Sequence, residues 1–288
     1  FKEFLEKHLV GNMPENKSSS DASAPWITIA PWKRHDQAYL AIIREDWTEH
    51  KDSTARKIPV IRCLCIPAQY VFHNPIQLIE LCNQVGIIDV NEVFSNINRY
   101  DLPPLKINIQ KDNNYVNDLV TEISKDEDGF VRYAHLAAAL IGSSVSIILL
   151  RPEEFDWEKR LKEIEIILRL LPAGVALNSP VSIWAQSSTP HKMRLNYSND
   201  ARSNQQKISL SQIEQLSFPL TKPSQEYYRL LTKLKQRKGI SAVIRHLLNE
   251  TEPLSYENPQ AIIRSLANQD RPFTIWERVK KNGGIRSK

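Results

Sequence analysis

The sequence predicts an α+β protein, in which helices pack on a mixed sheet and a small all-helical unit follows at the C-terminus. Between residues 26 and 67, short runs of β-branched and apolar residues are bounded by turn-forming residues, as is typical of strands. Later segments place apolar residues three and four positions apart, as is typical of amphipathic helices. A length of 288 residues suits two domains, or one large domain with an appendage.

We divide the chain into three parts. Residues 1–25 are expected to form a short amphipathic helix and a flexible linker rich in Ser, Asn, Pro and Gly. Residues 26–220 form the α+β body, and residues 221–288 form a basic helical unit. Because the chain begins with Phe1 and not with Met, we expect it to be a fragment of a longer protein.

Three strands are predicted at the start of the body: WITIAPW, AYLAII and IPVIRCLCI. His35-Asp36 separates the first two, where we expect a turn. Residues 44–57 separate the last two, and this charged, turn-prone stretch is expected to be a long exposed connection. The apolar run SVSIILLRP between Gly142 and Pro152 predicts a strand buried on both faces. Further on, PVSIWAQSS and KMRLNYS are expected to form two strands joined by a turn.

Helices are predicted in four segments of the body. IQLIELCNQVG is expected to end at Gly86, which would follow the helix as its terminating glycine. NYVNDLVTEIS and FVRYAHLAAALIGS carry apolar residues at helical spacing. DWEKRLKEIEIILRLLP begins with Asp156 as its N-cap and stops at Pro172. Residues 91–111 are expected to be an irregular surface connection.

Four helical patterns follow residue 221: QEYYRLLTKLKQRKG, ISAVIRHLLNE, NPQAIIRSLANQ and PFTIWERVKK. Gly239 separates the first two, and Pro259 suits the first turn of the third. This part holds 14 Lys+Arg against 6 Asp+Glu, whereas residues 1–220 hold 24 against 27. The excess positive charge of the chain is therefore concentrated in the C-terminal helices.

The sequence lacks the P-loop, dinucleotide-binding, zinc-protease, serine-hydrolase and kinase motifs. With only eight glycines, loops that cradle phosphate groups are scarce. We therefore expect no nucleotide-hydrolysing or dinucleotide-binding module within these residues, and no cofactor. No apolar run is long enough to span a membrane, and the N-terminus has no signal pattern, so we expect a cytoplasmic protein without a membrane partner.

The three cysteines are interpreted as reduced core residues, which suits a cytoplasmic protein. Cys63 and Cys65 occupy alternate positions of one predicted strand, so their thiols should share a face and point into a core. A metal site would need two more soft ligands, and the remaining candidates are Cys82 and histidines that are scattered along the sequence. A nucleophilic cysteine paired with His35, His73 or His135 is the third interpretation, which we disfavour because all three cysteines lie in apolar segments.

Other polar residues have structural interpretations that we favour over catalytic ones. His35 and Asp36 are expected to be a solvated turn, although they could form an acid–base pair. His135 lies on the apolar face of its helix and is expected to be a hydrogen-bonded core histidine. The acidic cluster at 126–129 lacks the alternating ligands of a Ca²⁺ loop. It is expected to be a capped turn ahead of a helix.

The candidate partner surface, which we call the basic cluster, contains Arg229, Lys233, Lys235, Arg237, Lys238 and Arg245. Basic residues neutralise phosphates, and the nearby Tyr227, Tyr228 and Trp276 could stack on unpaired bases. On a helix, however, an apolar stripe is formed by Tyr227, Leu230, Leu231 and Leu234, which leaves the basic residues on its solvated face. Three interpretations stay open: a solvated face, which we favour, a surface for an acidic protein, and a nucleic-acid surface.

Three stretches, taken in order, resemble a known family. The first is AYLAIIREDWTE followed by KIPVIRCLCIPAQYVFHNPIQLI, in which a strand ending in Ile-Pro leads into a helix. The second is LKEIEIILRLLPAGVALNSPVSIWAQSS with KMRLNYSNDA, and the third is PSQEYYRLLTKL with NPQAIIRSLANQ. From about residue 26 to 280, this order is similar to the GTPase-associated adaptor proteins of bacterial conflict systems.

The resemblance implies a non-catalytic regulatory or scaffolding module of a cytoplasmic bacterial defence or signalling assembly. Its partner would be another protein, an NTPase or an effector subunit, contacted through residues 44–57 and the basic C-terminal helices. Two alternatives remain: a nucleic-acid-binding protein that uses the basic helices, and a nuclease or protease with an unrecognised site.

Overall fold

The computed structural model describes residues 2–8, 25–55, 57–73, 76–87, 114–126, 128–143, 146–150, 156–185, 192–198 and 205–268. These residues form the predicted α+β fold, with a seven-stranded mixed sheet and packed helices. The predicted linker, the connection at 91–111 and the last helical pattern lie outside the described residues, apart from Pro25 at the end of the linker.

The sheet has an antiparallel half and a parallel half. Its strands are β1 (Trp26–Arg34), β2 (Gln37–Lys51), β3 (Lys57–Pro67), β4 (Ile147–Leu150), β5 (Val181–Ser182), β6 (Leu195–Ser198) and β7 (Gln206–Ser209). Their order is β3-β2-β1-β5-β6-β4-β7. Strands β1 to β3 pair antiparallel, β1 also pairs antiparallel with β5, and the remaining pairs are parallel.

The long β2–β3 hairpin corrects the expectation of an exposed connection at 44–57. Strand β2 continues to Lys51, and its pairing with β3 extends to Lys57, so the described residues of the turn are only 52–55. Asp46 accepts bonds from Arg44 on the same strand and from Arg62 across the hairpin. The predicted turn at His35-Asp36 is confirmed.

The described helices include all the predicted ones that fall in these residues. In chain order they are α1 (Lys2–His8), α2 (Ala68–His73), α3 (Leu78–Gly86), α4 (Tyr115–Ser124), α5 (Gly129–Gly142), α6 (Trp157–Arg169), α7 (Ala173–Ala176), α8 (Leu210–Glu214), α9 (Lys222–Lys238), α10 (Ile240–Asn249) and α11 (Pro259–Asn268). The short helices α2, α7 and α8 and the strand β7 were not predicted. They span only four to six residues each, too few to show a periodic pattern.

The main core lies on one face of the sheet. Alternate strand residues such as Ile27, Ile42 and Leu149 point to this face and join one apolar cluster with α5 and α6. In β4, Ile147 and Ile148 are both fully buried although they point to opposite faces. The prediction that this strand is buried on both faces is therefore confirmed.

The helices after residue 221 share this cluster. Helix α9 packs mainly against α5, and its buried Tyr227, Leu231 and Leu234 belong to the same apolar cluster as the sheet. Leu247 of α10 and Leu266 of α11 belong to it as well. Body and C-terminal helices are thus joined by one continuous core within the described residues.

Two local expectations are wrong. Gly86 lies inside α3 and does not follow it. An added Cβ at Gly86 would lie 2.6 Å from Nη1 of Arg44, so the glycine allows the arginine side chain to pass close to the helix.

The strands β5 and β6 are parallel neighbours, so they do not form a hairpin across one turn. Half of their connection, residues 186–191, lies outside the described residues.

Candidate functional site

The basic cluster lies on α9 and α10. Arg229, Lys233 and Arg237 are exposed and follow each other at intervals of four residues, so they share one helix face. Lys222 is exposed and lies seven residues before Arg229, which places it on the same face. We call these four residues the basic stripe.

The opposite face of α9 anchors the helix. Thr221 caps its N-terminus by accepting a bond from the backbone of Ser224, and a proline occupies the first turn. Tyr227, Leu231 and Leu234 are fully buried. Leu230, the fourth residue of the predicted apolar stripe, is half-buried. The predicted stripe is confirmed, and it holds the basic stripe outward.

The other three residues of the basic cluster have different surroundings. Lys235 is half-buried, and its Nζ lies 5.4 Å from the ring centre of Phe130. Lys238 is exposed in the last turn of α9, where positive charge interacts favourably with the helix dipole. Arg245 is exposed on α10 and donates from Nε to Oγ of Ser241 at 3.3 Å.

The two tyrosines beside the basic cluster contact other residues of the fold. Tyr227 donates its hydroxyl hydrogen to the carbonyl oxygen of Leu170 at 2.8 Å, and burial raises its pKa well above the ordinary value. The ring of Tyr228 lies 5.3 Å from that of His135. Tyr227 is therefore inaccessible to a base, whereas Tyr228 is half-buried, and Trp276 lies outside the described residues.

His135 is buried, but the expectation that it is hydrogen-bonded is wrong. Within the described residues, neither ring nitrogen has a partner with hydrogen-bond geometry, and the ring packs against Phe218 at 4.4 Å between centres. Burial lowers the pKa of His135, and a nearby backbone group of Phe218 opposes this shift in part. The aromatic surroundings replace the expected polar partner.

The cysteines differ from each other in their environment. Cys82 is fully buried, and burial raises the pKa of its thiol. Cys63 and Cys65 share a face as predicted, with their sulfur atoms 3.8 Å apart, but both are only half-buried and do not enter the core. Their shared hydrogen bond raises the pKa of Cys63 and lowers that of Cys65.

The structure does not assemble the proposed cysteine–histidine site from the described residues. His35 lies in an exposed hairpin turn, and the side chain of His73 lies outside the description. Among the described side chains, no three His, Cys, Asp or Glu residues are grouped so that they could hold a metal ion. The acidic stretch before α5 forms a turn, in which Asp126 accepts a bond from Arg132.

A buried polar network was missed by the sequence analysis. Tyr115 donates to Glu165 at 2.7 Å, and the backbone N–H of Leu78 donates to the same carboxylate at 3.1 Å. Arg169 pairs with Glu165 at 3.8 Å and donates to the carbonyl oxygen of Ile76 at 3.3 Å. Burial raises the pKa of Glu165, and the positive charge of Arg169 opposes this rise. The available signal was a Glu and an Arg four residues apart, separated by three apolar residues at the end of α6.

A crevice of about 360 Å³ lies between α5, α6 and the parallel half of the sheet. Leu149 and Tyr197, which face each other in the β4–β6 register, form its floor. Tyr197 donates its hydroxyl hydrogen to the buried Glu163, and Arg132 at the rim is engaged with Asp126. Among the described residues, no Ser, Thr, Cys or His side chain lines this crevice.

No family model matches this chain, and no curated protein or solved structure is significantly similar to it. None of the described helices is long and apolar enough to cross a bilayer.

Proposed function

We propose that this chain is a non-catalytic regulatory or scaffolding module that binds an acidic face of another protein through the basic stripe. The observation that supports this proposal is the composition of α9 on its solvent side. Its exposed positions are Lys222, Gln225, Arg229, Lys233, Gln236, Arg237 and Lys238, so each carries Lys, Arg or Gln and none carries an acid.

A face that serves only for solvation usually mixes charges of both signs, because pairs of opposite charge four residues apart stabilise a helix. In α9 the pairs Arg229–Lys233 and Lys233–Arg237 have like charges at this spacing. Such pairs cost a helix about 0.2–0.5 kcal/mol each. An acidic partner would add favourable charge contacts with this face across an interface.

Protein is a better candidate partner than nucleic acid. Base stacking needs exposed rings, whereas Tyr227 is fully buried and Tyr228 is half-buried against His135. The resemblance to GTPase-associated adaptors suggests that the partner is an NTPase or an effector subunit of a cytoplasmic bacterial defence or signalling assembly. Such a module needs an outward-facing docking surface and no active site of its own.

The test compares two triple variants with the same change of net charge. Arg229→Glu, Lys233→Glu and Arg237→Glu reverse the basic stripe, whereas the control reverses three exposed lysines of the body, Lys159, Lys192 and Lys207. Each protein is incubated with a nuclease-treated extract of the source cells, and the retained proteins are identified. We expect an acidic protein to be retained by the wild-type chain and the control and lost by the stripe variant.

Retention of the same proteins by both variants would contradict the proposal. Nucleic acid is tested directly with labelled single-stranded and duplex oligonucleotides. If the stripe contacted three phosphates, the affinity would fall roughly 40-fold between about 50 and 200 mM salt. Such binding, abolished only in the stripe variant, would replace the acidic protein by nucleic acid as the partner.

A further inference from the structure

The sheet face opposite the main core becomes accessible towards the β2–β3 turn. Ile42 of β2 points into the main core. Glu45 and Trp47 lie an odd number of positions further along the strand, so they point to the opposite face. On that face, Ile43 is only 2% exposed, whereas Glu45 and Trp47 are half-buried. The accessible end of the face therefore begins at Glu45.

Four residues of this end lie in two facing pairs. Glu45 faces Ile61 of β3, and Trp47 faces Pro59. Ile61 is 42% exposed, and Pro59 is exposed as well. Trp26 of β1 faces Glu45 from the other side and is buried. We call Glu45, Trp47, Pro59 and Ile61 the Glu45 patch, an apolar surface that contains one carboxyl group.

Within the described residues, Glu45 has neither a hydrogen bond nor a counterion. The arginines of the hairpin, Arg44 and Arg62, lie on the other face and bind Asp46 there. Burial raises the pKa of the Glu45 carboxyl to about 7, and the charge of Asp46 adds a smaller contribution. The ionised carboxylate therefore lacks a compensating positive charge, which a bound cation would supply.

The other ionisable groups near this face do not neutralise Glu45. Cys63 shares the face and lies one pair further along β3. Arg160 of α6 lies 5.4 Å from the ring centre of Trp184, and that ring lies 6.0 Å from the ring of Trp26. The pKa of Glu45 is shifted by burial and by Asp46, and by neither of these groups.

The chemistry of the Glu45 patch fits a side chain with an apolar stem and a cationic end. Lys and Arg have this form, because their methylene stems pack on apolar surface while the charged end reaches a polar group. Pro59 and Ile61 offer apolar contacts to the stem, and the indole of Trp47 also attracts a cation. The Glu45 carboxylate accepts a charge-assisted hydrogen bond from the ammonium or guanidinium group.

We propose that the Glu45 patch binds a Lys or Arg side chain presented by a partner protein. Because Pro59 and Ile61 are exposed, the patch is an open surface, which suits a side chain on another protein better than an enclosed small molecule. Binding requires the ionised carboxylate, so chains in which Glu45 is protonated release that proton when the cation binds. This site lies on β2 and β3 and does not rest on the function proposed for the basic stripe.

The test uses the full chain and follows the indole N–H signals by nuclear magnetic resonance. The probe is an acetylated and amidated Ala-Ala-Lys-Ala-Ala peptide, and the matched peptide carries norleucine in place of lysine. We expect saturable shifts with the lysine peptide only. From pH 6 to pH 8 the affinity should rise about tenfold, because the ionised fraction of a group with a pKa of about 7 rises about tenfold.

Glu45→Gln should weaken binding of the lysine peptide at least tenfold and remove its pH dependence. Glu49→Gln is the matched control and should leave binding unchanged, since the side chain of Glu49 is 92% exposed. Equal binding of the two peptides, or unchanged binding by Glu45→Gln, would overturn the proposal.

The wild-type titration needs no variant, so it does not depend on how the substitutions affect folding. Absence of saturable shifts with the lysine peptide, or an affinity that does not change with pH, would also overturn the proposal. Tetramethylammonium is the third probe. If it bound more tightly than the lysine peptide, the ligand would be a free ammonium compound and not a protein side chain.

Discussion

The buried ionisable residues of α6 show how single side chains fix the packing of this fold. Glu165 receives bonds from Tyr115 at the start of α4 and from the backbone at the start of α3, so one carboxylate joins three helices. Desolvation of the Glu165–Arg169 pair offsets much of its Coulomb attraction. We therefore expect the network to act mainly by setting the position of α3 and α4 on α6.

Glu45 is the residue from which we predict a pH dependence of stability. Its neighbours across the strands are Trp26 and Ile61, and burial raises the pKa of its carboxyl to about 7, with a smaller contribution from the charge of Asp46. The folded state thus holds this proton more tightly than the unfolded state. The free energy of unfolding should fall as pH rises from about 4.5 to above 7, by at most about 3 kcal/mol.

Glu45→Gln removes this titration and should raise the free energy of unfolding above pH 8 while changing it little at pH 4. Urea denaturation at several pH values measures the effect. Glu49→Gln is the control, since the side chain of Glu49 is 92% exposed. Parallel stability–pH curves for wild type and Glu45→Gln would show that Glu45 ionises normally in the folded state.

One glycine sets the geometry at each end of α9. At Gly142, where α5 ends, an added Cβ would lie 1.9 Å from Oγ1 of Thr221, so the glycine lets the start of α9 approach α5 closely. Gly239 links α9 to α10 with φ of 82° and ψ of 161°, a combination that is essentially restricted to glycine. Both positions govern how the basic stripe is presented.

Gly239→Ala should destabilise the chain by about 1–3 kcal/mol, because the alanine must adopt this strained backbone conformation. A steric clash does not contribute to this loss of stability, since an added Cβ at Gly239 meets no atom within 4 Å. Thermal unfolding followed by circular dichroism measures the loss. Gln236→Ala, an exposed position of the same helix, is the control and should be neutral or slightly stabilising. Equal stability of Gly239→Ala and wild type would contradict this prediction, because it would show that the backbone at residue 239 can adopt another conformation at no cost.

At the scale of the whole molecule, the sheet and the C-terminal helices belong to one apolar cluster. The boundary that the sequence suggests at residue 221 is marked by a change in charge and in secondary structure. The core crosses that boundary, because Tyr227 and Leu231 of α9 are buried with residues of α5 and the sheet. We therefore expect the two parts to unfold together.

Leu231→Ala should lower the free energy of unfolding by about 2–5 kcal/mol, as expected for a fully buried leucine. Tryptophan fluorescence reports mainly on the body, and far-ultraviolet circular dichroism reports on all helices. Both transitions should coincide in the wild type and shift together in the variant. The half-buried Leu230→Ala is the control and should cost less. Separate transitions, with only the helical one shifted, would instead establish residues 221–288 as an independent unit.

Features that depend on neighbouring residues were determined by the sequence itself. The N-cap at Asp156, the buried run of β4 and the two faces of α9 were predicted because capping and periodicity act within a few residues. The basic stripe, the part of the candidate site on which the proposed function rests, belongs to this class. Its outward orientation follows from the apolar stripe on the same helix.

Features that depend on distant partners were decided only by the tertiary structure. Residues 44–51 form a strand because Asp46 meets Arg62 across the hairpin, whereas the charges alone predict a loop. The Tyr115–Glu165 bond joins residues that lie 50 positions apart. The exposure of Cys63 and Cys65 depends on which face of the sheet the helices cover. Local sequence sets the spacing of these side chains, but only long-range packing sets what they meet.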